Sequence, residues 1–182
     1  MTQELIGTGL TAGTWTIDPA HSEVGFSVRH LMSKVRGSFT EFAGEIVTTE
    51  DPTTSSVSVT ITSASITTRN EQRDGHLRSA DFFDPEKGGE LAFVSTGITA
   101  DGDGYVISGD LTINGITKPV DLAAEFLGVA TDAFGVTRVG AEATTTISRK
   151  DFNVDFNIPL DGGKFLIGDK VDITLTIEGT QA

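Results

Sequence analysis

Apolar and polar residues alternate with a two-residue period along most of this chain, the pattern of strands that bury one face and wet the other. Val24, Phe26 and Val28 fall on one side of such a run, and Glu23, Gly25 and Ser27 on the other. Val35, Gly37 and Phe39 continue the alternation, which then changes parity to Phe42, Gly44 and Ile46. A one-residue slip moves every side chain to the opposite face, so this change predicts a bulge or bend at Thr40-Glu41. Val57, Val59 and Ile61 predict another strand, with a second parity change before Ala64 and Ile66, and Leu91 to Thr96 reads as a short one. Tyr105, Ile107, Leu111 and Ile113 precede Asn114-Gly115, and Ile116, Val120, Leu122, Ala124 and Phe126 follow it. Asn-Gly between two alternating runs is a strong hairpin signal, because both residues accept positive φ. Val139, Ala141, Ala143, Thr145 and Ile147 form a further strand, and Val171, Ile173, Leu175 and Ile177 a closing one. The reading is an all-β protein of about eight antiparallel strands.

Two segments interrupt the rhythm. Residues 70–84 are charge-dense and poor in β-branched side chains, with Asn70 placed to cap a short helix. His30 to Lys34 could form a helical turn. An antiparallel sheet of this length with so little helix must pack as a sandwich or close into a barrel to hide its edges, and periodicity does not choose between them. No repeat or composition shift marks a boundary, so residues 1–13 are expected to be a flexible leading segment and 14–182 a single domain.

Composition narrows the functions available. The chain has 13 Lys and Arg against 26 Asp and Glu, a net charge of -13, which lacks the electrostatic footprint for nucleic acid or an anionic membrane and nearly excludes that class. The absence of Cys removes disulfides, thiolate nucleophiles and zinc-thiolate sites. The amino terminus carries Glu4, has no Lys or Arg before Arg29, and is too glycine-rich for a signal peptide, which predicts a cytoplasmic chain. The longest uncharged stretch, Pro52 to Thr68, is rich in Ser and Thr, so no stable membrane insertion is expected.

Chemistry-bearing residues are few. His21, His30 and His76 lack metal-ligand spacing, and no nucleophile elbow, P-loop or dinucleotide fingerprint occurs, so neither metal nor cofactor is expected. Asp74, Asp81, Asp84 and Asp151 lie close in sequence to Arg69, Arg73, Arg78, Arg149 and Lys150. Such mixtures support either an active site with shifted pKa values or ion-paired caps that tie a helix to a sheet. With 11 Phe against one Trp and one Tyr, the interior offers few polar handles and suits an apolar guest.

Particular strings then carry more than the statistics. Trp15-Thr-Ile-Asp-Pro-Ala-His21-Ser22-Glu-Val24-Gly-Phe26 runs on to His30-Leu31, Ser33-Lys-Val35-Arg-Gly37-Ser-Phe39 and Phe42-Ala-Gly44. Downstream come Arg73-Asp74-Gly-His76-Leu77-Arg78-Ser79-Ala-Asp81-Phe82-Phe83-Asp84, then Gly109-Asp-Leu111-Thr112-Ile113-Asn-Gly115-Ile-Thr117-Lys118-Pro119-Val120, and Ile147-Ser-Arg149-Lys-Asp151-Phe152. These four ordered motifs, spanning about Thr14 to Ile177, resemble the YceI-like family. Asn153 departs from the glycine expected after Asp-Phe, and Gly88-Gly89 from a more proline-like turn. The resemblance implies a lipocalin-like, eight-stranded antiparallel barrel with one or two short helices, whose tunnel holds a polyisoprenoid or another long-chain lipid such as a quinone tail or fatty amide. It implies export for many members, in contrast to the amino terminus here.

On that reading the tunnel wall is formed by Phe26, Val28, Val35, Phe39, Val59, Ile61, Phe93, Leu111, Ile113, Leu122, Phe126, Ile147, Phe152, Ile173 and Leu175, each on an apolar strand face. His30, Arg73, His76 and Arg78 are candidates for a polar mouth, set against a structural role in pairing with Asp74 or Asp81. The expected function is non-catalytic lipid sequestration or transport, with a homodimer allowed by the strand edges and an apolar rim. A hydrolase or isomerase using Asp74, His76 or Asp151 at the barrel mouth is the alternative, and a plugged barrel acting as a partner-binding stress protein a third reading.

Overall fold

A computed structural model describes residues 10–182; residues 1–9 of the expected leading segment, and with them the amino-terminal reading, lie outside the described residues. The strands are β1 (Gly13–Ile17), β2 (Glu23–His30), β3 (Ser33–Phe39), β4 (Phe42–Thr48), β5 (Ser56–Thr62), β6 (Ile66–Thr67), β7 (Glu90–Asp101), β8 (Gly104–Ile113), β9 (Ile116–Thr131), β10 (Thr137–Ser148), β11 (Pro159–Leu160), β12 (Lys164–Phe165) and β13 (Ile167–Gln181), with helix α1 at Glu71–Leu77.

Three pairs of short strands are halves of long bent ones. A 3-10 turn at Pro19–His21, capped by the Asp18 carboxylate accepting from the Ala20 amide at 3.0 Å, separates β1 from β2. β3 and β4 meet at the bend predicted for Thr40-Glu41, and β5 and β6 are joined by a 3-10 turn at Ser63–Ser65, where the second parity change falls. Counted this way, eight strands run round the molecule, β1/β2, β4/β3, β5/β6, β7, β8, β9, β10 and β13, each antiparallel to its neighbours. β13 closes the ring, pairing with β10 along one edge and with both halves of β1/β2 along the other, where Ile173 faces Phe26 and Gln181 faces Trp15. The fold is therefore a closed antiparallel barrel, and the sandwich is excluded.

The structure adds to or corrects several local expectations. Asn114 (φ 53) and Gly115 (φ 75) form the hairpin turn that their sequence predicts. The helix stops at Leu77, although its Asn70 cap accepts from the Arg73 amide at 2.9 Å as anticipated; the remainder of 70–84 is turns. His30–Lys34 is not a helical turn. His30 pairs directly with Ser33 across a two-residue hairpin in which Leu31 takes φ 53. β7 runs on to Asp101, past a bulge between Ser95 and Gly97 that moves the inward parity to Ile98. Asn153 adopts φ 56, a left-handed cap that asparagine accepts more readily than most residues besides glycine, so the residue found where a glycine is expected fits the backbone there.

The two ends of the barrel differ. At the terminal end, where β1 begins and β13 finishes, Trp15 is fully buried and its indole N–H donates to Thr48 Oγ1 at 2.9 Å. Arg138 ties that end together, donating to Asp18 (2.8 Å), Glu178 (3.0 Å) and Asp132 (2.9 Å). The Arg138 guanidinium, helped by His21, lowers the Asp18 carboxyl to a pKa of about 2. At the helix end, Ile66, Phe82, Phe152 and Val154 are buried beneath α1 and the segment after β10.

Candidate functional site

Eight strands leave an interior that side chains can fill or that can hold one small guest. Here the interior is hollow. A cavity of about 320 Å³ runs inside the barrel, bounded almost entirely by hydrocarbon. Every residue expected on the tunnel wall lines it except Val35. Val35 lies opposite Val28 in the part of β3 whose outer edge has no partner strand, away from the closed section of the ring. The inward positions Val57, Val59, Ala143, Ile173, Leu175 and Ile177 remain only partly buried, which a core packed shut would not allow.

Two glycines shape the wall. A Cβ on Gly109 would lie 2.4 Å from Phe93 Cζ, and one on Gly37 would lie 2.5 Å from Phe26 Cζ, so each glycine is the notch over which an aromatic ring lies against the neighbouring strand. From Phe26 the rings continue to Phe39, with centroids 5.7 Å apart, and from Phe39 edge-on to Phe83 at 5.8 Å. β10 presents Ala141, Ala143 and Thr145 to the lumen. Selecting wall positions by bulk misses these small residues. Strand parity is the signal that finds them, since they alternate with the exposed Glu142 and Thr144.

The polar candidates do not gather at a mouth. His30, Arg73, His76 and Arg78 are absent from the cavity wall. His30 is engaged in the β2–β3 hairpin, its carbonyl accepting from the Ser33 hydroxyl at 3.1 Å. Arg73 donates to the Thr68 hydroxyl (2.7 Å) and carbonyl (2.9 Å), and Arg78 to the carbonyls of Ala64 (2.8 Å) and Ile66 (3.1 Å), so both fasten α1 to β6. His76 is 2.8 Å from Asp81 and stands edge-on to Phe82 and Phe156. Asp74 is buried and accepts from the Thr68 amide at 2.9 Å, whereas Asp151 is exposed; neither lines the cavity.

A buried cation does reach the lumen, at a position that stands in the fourth sequence motif but is not among the residues expected at the site. Arg149 lines the cavity and is 4% exposed, in the turn after β10. Its guanidinium donates to the carbonyls of Val154 (2.6 Å), Gly168 (2.8 Å), Phe156 (2.9 Å) and, more loosely, Ile167 (3.4 Å). Burial pulls its pKa below the ordinary arginine value, against the opposing pull of Asp169 and Asp155. It clasps the 153–168 segment across the helix end. Among the described residues, no group of three or more His, Asp or Glu could hold a metal, and no helix is long and apolar enough to cross a membrane.

A sealed ring of eight strands around an apolar void places the protein among the calyx-like β-barrels. Residues 15–179 match the YceI-like domain, and the chain belongs to that family. It is 41% identical to a UPF0312 protein of Ectopseudomonas mendocina over 96% of this chain and 91% of that one, and 41% identical to Protein YceI of Escherichia coli over 88% and 82%. Among solved structures it is similar to BcnA of Burkholderia cenocepacia (TM-score 0.74, 25% identity, covering 89% of this chain and 98% of that one). The fold is also that of a polyisoprenoid binding domain from Saccharophagus degradans (TM-score 0.69, 13% identity, 94% and 100% coverage).

Proposed function

We propose that this protein binds one linear long-chain lipid, a polyisoprenoid or isoprenoid quinone tail or a comparable acyl chain, inside the barrel, and sequesters or carries it without covalent chemistry and without a cofactor. The observation that carries this reading is the hydrocarbon-lined cavity of about 320 Å³, whose inward strand positions keep surface for a guest to cover. The polyisoprenoid-binding domain with the same fold supports the lipid class. The alternative of hydrolysis or isomerisation has less support, since Asp74, His76 and Asp151 are engaged or exposed away from the wall.

Affinity follows from length. A buried methylene is worth about 0.8 kcal/mol, so each isoprene unit inside the lumen contributes roughly 3 kcal/mol, about a hundredfold in the dissociation constant, against an association cost of about 4–15 kcal/mol. A guest with one unit gains too little and one with several binds tightly, whatever its head group. Native mass spectrometry of the freshly purified protein, followed by solvent extraction, is the test. A retained hydrophobic mass, exchangeable for added isoprenoids with affinity rising with chain length, is expected. An empty protein that takes up no isoprenoid, quinone or acyl chain overturns the reading.

A further inference from the structure

Part of the cavity wall belongs to no strand. Leu77, Phe82 and Phe83 reach the lumen from the insert between β6 and β7, at the helix end. Phe82 is buried, with its ring 5.4 Å from that of Phe156, and Phe83 stands edge-on to Phe39 at 5.8 Å. These are apolar contacts, which the hydrocarbon of a guest can replace.

The insert is fastened unevenly. Its first half is tied to residues 64–68: Asp74 accepts from the Thr68 amide, Arg73 donates to the Thr68 hydroxyl and carbonyl, and Arg78 reaches the carbonyls of Ala64 and Ile66. Among the described residues, the hydrogen bonds that join 79–84 to anything outside the insert both run to one side chain. Asn114 donates through Nδ2 to the Phe82 carbonyl at 2.7 Å and accepts at Oδ1 from the Asp84 amide at 3.2 Å. Its backbone is fixed independently, in the β8–β9 turn with Gly115.

The other closures are braced several times over. At the terminal end Trp15 donates to Thr48, Thr48 donates in turn to the Thr11 carbonyl at 2.6 Å, and Arg138 joins three carboxylates. At the helix end the segment after β10 is held by Arg149 and by Asn157, which bonds the Ile167 carbonyl (2.8 Å) and amide (2.9 Å) through its own amide group. The wall between is hydrogen-bonded strand to strand around the ring. A guest as long as the lumen needs one closure to move, and local opening falls to the element with the fewest ties.

We infer that residues 79–84 are the gate through which cargo enters and leaves, with Phe82 and Phe83 as its inward plug and Asn114 as the positioning residue that latches it shut. The inference rests on the reading of the lumen as a lipid site. Latched in the empty and the loaded protein alike, the gate sets the barrier to exchange and leaves affinity to the lumen, so loosening it speeds association and dissociation together.

Asn114→Gly deletes the latch and keeps the turn, because glycine accepts φ 53 without strain. Asn114→Asp tolerates the same φ and keeps the acceptor for Asp84, but loses the donor to Phe82. Thr48→Val loosens the opposite end. Native mass spectrometry of the intact protein, following replacement of bound deuterated geranylgeraniol by the unlabelled alcohol, gives the dissociation rate, and titration gives the Kd. Dissociation should be roughly tenfold faster or more in Asn114→Gly and at least about threefold faster in Asn114→Asp, with Kd within about threefold of the parent. Amide exchange of the empty protein should quicken over 79–84 and not in the strands, and Thr48→Val should release cargo at the parent rate. Thermal unfolding shows that the variants fold, and the aspartate variant carries the test if the glycine one does not. Cargo release at the parent rate in a folded Asn114 variant overturns the inference. So does a Kd that weakens in step with the dissociation rate, which makes Asn114 part of the binding fold, or equal acceleration in Thr48→Val, which puts the entrance at the terminal end. A parent protein that takes up no geranylgeraniol, quinone or acyl chain instead overturns the proposed function, and the gate with it.

Discussion

Filling the lumen from its own wall separates a binding cavity from a packing defect. Ala143 points inward at the middle of β10, between Ala124 of β9 and Leu175 of β13, and lines the cavity. Ala143→Phe adds a benzyl group to empty space and leaves the strand register untouched. Fully burying a Phe side chain is worth about 1.5–3 kcal/mol, and fixing its rotamer takes back roughly 1 kcal/mol, so the lipid-free variant should match the parent or exceed it by about 1–2 kcal/mol. At about 2–4 °C per kcal/mol for a chain of this size, its Tm should rise by up to roughly 8 °C. The ring occupies about the space of one isoprene unit, so affinity for a long guest should fall by roughly a hundredfold or more. Differential scanning calorimetry of delipidated protein and competition with a fluorescent isoprenoid give both numbers. A stability loss above about 2 kcal/mol would show that the space is already occupied by packed side chains. Unchanged affinity in a folded variant would place the guest elsewhere.

Replacing Arg149 by Met removes the donor that serves the buried carbonyl of Val154 and the part-buried ones of Phe156, Gly168 and Ile167; at about 1–3 kcal/mol per stranded group the variant should lose at least about 3 kcal/mol in urea unfolding, with amide exchange fastest over 153–168. Arg149→Lys should fare little better in the same measurements, because a point charge cannot span several acceptors. Asp18 has a folded pKa of about 2 against an ordinary 3.8, so between these values the unfolded chain binds a proton that the native one does not. Its stabilising contribution is therefore complete above about pH 4 and lost as the pH falls toward 2. Asp18→Asn should be less stable at pH 7 and have a shallower acid limb, read from urea midpoints at pH 7, 4 and 2.5.

How much of this is legible in the chain depends on range. Alternation in β2, β4, β8, β9, β10 and β13, the Asn114-Gly115 turn and the parity breaks at Thr40-Glu41 and Ser63–Ser65 are local, and local pattern recovers them. Closure is not local. The pairing of Trp15 with Gln181 joins the two ends of the chain, and an alternating run carries no address for its partner. Tip residues mislead for a related reason: Leu31 and Met32 interrupt the alternation and look helical, whereas they cap a hairpin that projects beyond the lumen. Arg73, His76 and Arg78 resemble a site because they cluster with acids, yet backbone carbonyls and Asp81 take up their donors. Arg149 stands in a motif, but its acceptors come from up to 19 residues away and exist only once the helix end is folded.

The hollow itself is the clearest statement about binding. Leaving about 320 Å³ empty in an apolar interior costs about 8 kcal/mol at roughly 24 cal/mol per Å³, which is comparable with the whole stability of a typical domain. The chain could avoid that penalty with larger residues at Ala124, Ala141, Ala143 and Thr145, each of which faces the void from a strand that tolerates branched side chains. A dry apolar cavity gains nothing from water, so the contacts it lacks can be supplied only by hydrocarbon. On the proposed reading the guest recovers dispersion along its full length, and selectivity rests on the width and length of the lumen. The Arg149 clasp stands at the helix end of that lumen.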